Sequence, residues 1–399
     1  MKSRAPSGIL LTLLLIGMVS MAFDIQPVKA EPGTITVPDD YPTIQEAIDA
    51  ASPRDTIFVH SGIYYEHLVV NKTVSLIGEN RNTTIIDGGG TGHIICVTVS
   101  NSVISGFTLR DGYNYGVHLR EGTKDNIVSG NTIKRCCVGV LLDHSHGNTV
   151  SENTVENNDC GIHVEYSNGN IVNGNILTYN YHGISISYSS DNIVGGNKLT
   201  RNSHGVYFWY SNGNVVSGNI AAYNDNGINL KNSRNNAVTQ NRVLKNSYGI
   251  QLYRSDDNTL RNNNIINNTN QVYATTRYIN KWDDGYLSGG NYWSDYNPPD
   301  IYSGPYQNET SRDGIGDIPY IIDGNNKDRY PLIYPHGYVF SPDVNEDGIV
   351  DIEDLTICAL AMWSQPGDPN WNPILDLNND GVIDITDLVM IAIHFGETC

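Results

Sequence analysis

Glycine returns every 22 residues through the middle of this chain, at Gly139, Gly161, Gly183, Gly205, Gly227 and Gly249, with Gly116 one step earlier at 23. Asn recurs nine residues after each glycine (Asn148 to Asn258) and again at fourteen (Asn153 to Asn263). A third Asn series runs at nineteen, from Asn158 through Asn180 to Asn268, and Ser145 to Ser255 form a fourth column. Six consecutive units without an insertion or deletion mean one structural unit stacked on copies of itself. The unit is too rich in Gly and Asn for helices. Its apolar positions alternate (Ile162 and Val164, then Val172, then Leu177), which is the period of short strands broken by turns. Three short strands and three turns per unit give one coil of a parallel β-helix, with coils stacked at about 4.8 Å. The repeated Gly and Asn tolerate positive φ and are expected at the corners. Stacked Asn side chains are expected to hydrogen-bond along the axis.

The flanks divide the chain. Lys2 and Arg4, an apolar run from Ile9 to Phe23 and the small-x-small stretch Val28-Lys29-Ala30 predict a signal peptide over 1–30. That run is too short for a membrane span, so the expected location is secreted or extracellular, with attachment at a cell surface. "PTIQEAIDAAS" predicts a helix that covers the first coil within the segment 31–55, placing Ile44, Ala47, Ile48 and Ala51 on one face. The parallel β-helix is expected over 56–280, and an aromatic and proline-rich cap and linker over 281–340. The net charge of −19 argues against nucleic acid as partner. That charge is concentrated at the end: residues 343–399 hold twelve Asp or Glu and no Lys or Arg, which marks a separate module at 341–399.

The repeated "GI-x-L-x-x-S-x-x-N-x-V-x-x-N" and the later "GNYWSDY…DGIGDIPYIID…RYPL" resemble the NosD-like right-handed β-helix family, within the wider group of carbohydrate-binding and sugar-hydrolysis β-helix domains. The resemblance spans roughly Thr34 to Pro335 and implies an all-β, right-handed parallel β-helix. "PTIQEAIDAASPRDTIFVHSGIYYEHLVVNKTVSLIGE" is also similar to the start of pectin methylesterases, whose catalytic motifs do not follow here.

In the acidic module, "DVNEDGIVDIED" and "DLNNDGVIDITD" repeat 33 residues apart, each followed by an apolar helical stretch. Asp343, Asn345, Asp347, Asp351 and Asp354 stand at loop positions one, three, five, nine and twelve, with the Ile349 carbonyl at seven. Asp376, Asn378, Asp380, Val382, Asp384 and Asp387 repeat the set. Alternating oxygen donors around a glycine turn suit Ca²⁺, and two calcium ions are expected. A loop–helix unit with Asp at position twelve, present twice, resembles type I dockerin modules, which implies a small all-α calcium-binding domain and a cohesin-like protein as partner. The recognition pair at positions ten and eleven departs from the familiar Ser-Thr, being Ile352-Glu353 and Ile385-Thr386. Cys358 and Cys399 are placed to staple the module's ends.

Residues at one offset from the glycine stack in a column, so the coil surface is legible. Offsets two, four and five flank the buried positions one and three and are expected to face outward on one sheet. Asp143 and Glu165 fall on adjacent coils with His163 beside them, a carboxylate pair near the separation of retaining glycosidases, about 5 Å. Tyr166, Tyr188, Tyr207, Trp209 and Tyr210 form a candidate sugar-stacking platform. The expected function is binding of polysaccharide or cell-surface glycan. One alternative is a hydrolase or lyase using Asp143 and Glu165. The other is copper delivery or assembly in the periplasm, implied by the NosD resemblance, with Cys160, His182 and His204 in one column as soft donors. Every methionine lies outside the coils, and Cys137 and Cys160 are alternatively a disulfide between neighbouring coils.

Overall fold

The computed structural model describes residues 31–337, 341–345, 347–365, 368–377 and 382–398. The expected signal peptide, the ligands Asn378 and Asp380, and Cys399 with its staple lie outside the described residues.

Three parallel sheets, of eleven, ten and eleven strands, form a right-handed solenoid of about 11 turns. Each repeat contributes one six-residue strand, such as Cys160–Glu165, and two three-residue strands, such as Ile171–Asn173 and Ile176–Thr178. Register never slips between 115 and 274: residue i faces i+22 or, once, i+23, so sequence columns are spatial columns. The inward residues Ile162, Val164, Val172 and Leu177 are fully buried and, with most of their counterparts on the other coils, form one apolar core.

The repeated glycine lies within a strand and not at a corner, whereas the three Asn columns do stand in the turns between strands, though without the positive φ expected of them. Gly161 is the second residue of its strand, where close approach excludes any side chain: a Cβ would lie 2.6 Å from the Gly183 carbonyl oxygen and 2.8 Å from Leu177 Cδ2. The three Asn columns point inward. Asn175 is fully buried; its backbone N–H and Nδ2 both donate to Asn197 Oδ1 at 3.0 Å, and Nδ2 also donates to the Val150 and Asn173 carbonyls. Repeated coil after coil, these bonds satisfy the buried backbone of every turn, as the expected axial ladder requires. The left-handed conformation falls instead on residues just before the ladders, including His144, Tyr166, Tyr188 and Tyr210 with φ of 49, 47, 49 and 48°. Coil closure imposes that geometry whatever the side chain.

Both solenoid ends are covered. Strand Thr34–Val37 pairs in register with Thr56–Val59, and the helix Ile44–Ala50 between them buries Ile44, Ala47 and Ile48. Its N-cap is Thr43, whose Oγ1 accepts from the Glu46 N–H at 3.2 Å. At the far end the ladders need final acceptors, and the cap supplies them. Asn263 donates to Asn291, whose N–H donates at 2.7 Å to Asp328. Asn258 donates to Asn280 and that to Asn326. Asp328 also accepts from Trp293 Nε1, and burial pushes its carboxyl up to about 7.

The acidic module has its own core, including Val350, Cys358, Leu375, Leu377, Ile383 and Ile391. Its two helices, Ile352–Leu360 and Ile385–Ala392, each begin with a capping box, Asp351 with Asp354 and Asp384 with Asp387. Among the described residues no helix is long and apolar enough to cross a membrane.

Candidate functional site

The six-residue strands carry Asp143, His163, Glu165, Tyr207 and Trp209, whereas Tyr166, Tyr188 and Tyr210, expected on the same sheet, stand at the turn directly after it. Asp143 and Glu165 are direct partners in register, so about 4.8 Å separates their backbones. Asp143 is engaged on both sides: Oδ1 lies 2.6 Å from His144 Nδ1, and Oδ2 lies 3.7 Å from His118 Nε2. The Asp143 carboxylate raises the His144 pKa. Burial is the larger influence on His118 and His163, holding both below the ordinary imidazole range although Asp143 pulls the other way in each. Both ring nitrogens of His118 are buried without a hydrogen-bond partner. His163 Nε2 lies 3.4 Å from Ser187 Oγ. Asp143, Glu165 and His163 are thus brought together.

The aromatic residues separate into two groups. His144, Tyr166, Tyr188 and Tyr210 stack face to face at centroid distances of 4.8, 5.0 and 5.5 Å, with interplanar angles of 20, 5 and 1°. Trp209 tilts against Tyr188 and Tyr210. The three tyrosines are exposed, so this column is a continuous aromatic edge running along the solenoid axis. Tyr207 belongs elsewhere, packing against His182 at 4.7 Å and His204 at 5.2 Å.

Outward-facing did not mean exposed at every position. His118, Leu141, Ser185, Ser187 and Asn229 point away from the core yet are buried, because larger neighbours close over them. The result is an uneven face with a groove of about 500 Å³ on the later coils, lined by Tyr181, His182, His204, Tyr207, Lys231 and Tyr253 together with the Asn229 and Gln251 amides. Sequence columns contained these residues, but only the shading of small side chains by large ones assembles them into a groove. Comparing side-chain volumes across neighbouring columns would have marked it.

Cys160, His182 and His204 do share a column. They do not fit a copper centre. The Cys160 thiol is turned to the Ile162 carbonyl at 3.5 Å, and burial raises its pKa, away from the thiolate a soft metal needs. His182 is stacked on Tyr181 at 4.6 Å and tilted against Tyr207. Among the described residues no three His, Cys, Asp or Glu are grouped to hold a metal ion. The alternative disulfide is corrected as well: Cys137 and Cys160 are free because they occupy different columns, Cys160 being partnered by Val138 and His182.

The acidic loops have a different chemistry. Asp354 is fully buried, its Oδ1 accepting from the Val344 and Asn345 N–H groups at 2.8 and 3.2 Å and its Oδ2 from Asp351 N–H at 2.8 Å. Asp343 accepts from the Asp347 and Gly348 N–H groups, and Asp347 from Ile349 N–H. The second loop repeats the arrangement, Asp387 accepting from Leu377 and Asp384 N–H groups. Buried carboxylates demand positive charge, and this module has no Lys or Arg of its own. The donors are all oxygen, the chemistry calcium takes, but the described carboxylates are turned to the loop N–H groups and are not gathered into a metal-holding cluster.

The family model described as periplasmic copper-binding protein (NosD) matches residues 48–159 and 97–298, spans that together cover more than half of the chain. A dockerin type I domain matches residues 341–395. No curated protein matches the chain. Among solved structures, the Dettilon tailspike protein is 15% identical with a TM-score of 0.51, over 58% of this chain and 54% of that one, and shows the same fold. The A-module of mannuronan C-5 epimerase AlgE4 from Azotobacter vinelandii is 16% identical with a TM-score of 0.45, over 62% of this chain and 88% of that one. The PL6 family alginate lyase AlyGC is 14% identical with a TM-score of 0.47, over 70% and 46%. The chain belongs to the NosD family of right-handed parallel β-helix proteins and carries a dockerin type I domain at its C-terminal end.

Proposed function

We propose that this is an exported glycan-binding protein whose solenoid holds a polysaccharide along the six-residue-strand sheet, while the dockerin domain fastens it to a cohesin-like partner. The observation that carries this is the aromatic column of Tyr166, Tyr188 and Tyr210 with Trp209 beside it. Stacking on one another takes up the tyrosine faces, so the column offers a ligand its phenol hydroxyls and ring edges, with the tilted Trp209 ring beside them to pack on sugar C–H groups. A row of rings spaced along the axis suits a linear chain better than a single sugar.

Asp343, Asn345, Asp347, Asp351 and Asp354, with the Ile349 carbonyl, are assigned to one calcium ion. Asp376, Asn378, Asp380, Asp384 and Asp387, with the Val382 carbonyl, are assigned to the second. When bound, the ions neutralise the carboxylates and fix the loop–helix corners that a partner reads. The test is a glycan-array screen of the full chain against Tyr188→Ala. Binding that weakens at least fivefold in the variant supports the platform, and an array with no binder rejects it. Elemental analysis near two calcium per chain supports the loop assignment, and its absence removes it.

A catalytic second reading rests on the Asp143–Glu165 pair with His163 at hand. Turnover of a bound polysaccharide, lost in Glu165→Gln with binding retained, supports it. Retained activity in that variant excludes the carboxylate role.

A further inference from the structure

The chain's charge of −19 conceals an opposite charge on its later coils. Between Lys198 and Lys281 there are ten Lys or Arg against three Asp, a net +7. The earlier coils carry the acidic groups, and there the cations are spent on carboxylates: Arg110 on Asp87 at 2.8 Å, Arg135 on Asp111 at 2.6 Å, Lys134 on Glu156 at 3.5 Å. The groove differs. Lys231 Nζ and Arg254 Cζ both lie over the Tyr253 ring, at 5.9 and 5.3 Å, and neither has a carboxylate partner among the described residues. Two cations held over one ring beside a groove make a local anion-seeking point on a chain that is acidic overall.

The groove floor also lacks partners. Asn229 is 6% exposed; its Nδ2 donates to Gln251 Oε1 at 2.7 Å, while its buried Oδ1 has no hydrogen bond. His204 Nδ1 is likewise buried without a partner. Buried polar atoms left unpaired cost about 1–3 kcal/mol each, a cost that a ligand hydroxyl seated in the groove removes. Phenol rings from Tyr207 and Tyr181 border the same space.

We propose that this groove receives a carboxylated sugar, a uronic acid unit of a polysaccharide, with Lys231 and Arg254 taking the carboxylate, Tyr207 and Tyr253 bordering the ring, and Asn229 and His204 meeting its hydroxyls. The proposal rests on the glycan reading above and adds the ligand's charge. A nucleic acid meets the groove less well, since a long polyphosphate would continue onto the acidic early coils.

The test uses the full chain with three probes in titration calorimetry: an oligogalacturonate hexasaccharide, cellohexaose and oligo(dT). The uronate is expected to bind at least tenfold tighter than cellohexaose, to weaken with salt, and to lose at least tenfold in Lys231→Met and in Arg254→Met. Arg201→Met, on a different corner of the coil, is expected to leave binding unchanged and shows that bulk charge is not the cause. Equal binding of both sugars, with the Lys231 and Arg254 variants unaffected, overturns the charge proposal while the glycan reading stands. Oligo(dT) binding as tightly as the uronate overturns it in favour of phosphate recognition. If neither hexasaccharide binds and the glycan array is blank, both fall.

Discussion

Two ladders climb the same coils a few residues apart, and they are built on opposite terms. The buried ladder of Asn153, Asn175, Asn197 and Asn219 uses one residue type on every coil, because each amide must accept from the coil before and donate to the coil after. The exposed ladder of His144, Tyr166, Tyr188 and Tyr210 gives way to Asn232 and Arg254 on the next coils, with the same positive φ throughout. Backbone geometry is therefore indifferent to what stands at the corner, whereas the buried columns tolerate nothing else. In a solenoid the invariant positions hold the fold and the freely varying ones are where specificity is written.

The comparison can be broken most forcefully from inside. Asn175→Ala leaves the Asn153 N–H and Nδ2 without their acceptor and the Val150 carbonyl without one of its donors, and it is expected to cost about 3 kcal/mol in denaturant unfolding. A loss below 1 kcal/mol would mean that neighbouring coils repair the ladder.

Acid probes the ground between the ladders. His182 is held down to about 4, chiefly by burial and then by His204 and His163. The unfolded chain takes up this proton near the ordinary 6.5 and the folded one only near 4, so the contribution is intact above 6.5 and falls away as pH drops toward 4. Stability is expected to decline by about 3 kcal/mol across that window, and by less in His182→Gln, as followed by denaturant titrations at stepped pH. An unchanged slope in the variant would assign the decline to other groups.

Trp209→Ala touches only the outer surface. It is expected to weaken polysaccharide binding about tenfold in affinity electrophoresis, near 1.4 kcal/mol, with stability changed by less than 1 kcal/mol. The smallest effect is the most diagnostic. Tyr188→Asn puts a residue at ease with positive φ into the exposed ladder and is expected to raise stability by about 0.5 kcal/mol while weakening binding.

The sequence made the period, the columns and the strand pattern plain because each coil contacts only its neighbours, so local spacing is also tertiary register. It misled on why Gly161 and Asn175 repeat. Their tolerance of positive φ is real, yet the first is required because a Cβ there would lie 2.6 Å from the next coil's carbonyl oxygen, and the second by buried hydrogen bonds. It also could not reveal that Ser185 and Ser187 would be buried between larger side chains, which is why Asp143, Glu165 and Tyr166 are legible as a site and the groove of His204, Asn229 and Lys231 is not. The loop carboxylates were legible by spacing alone, since a calcium-type loop is local in sequence.

The most direct test of the exposed ladder is one preparation carrying Tyr166→Asn, Tyr188→Asn and Tyr210→Asn together, measured for unfolding and for polysaccharide binding side by side. Undiminished or higher stability with binding reduced at least thirtyfold is the predicted result. Unchanged binding, or a loss of stability matching the loss of binding, would contradict the claim that this column serves the ligand rather than the fold.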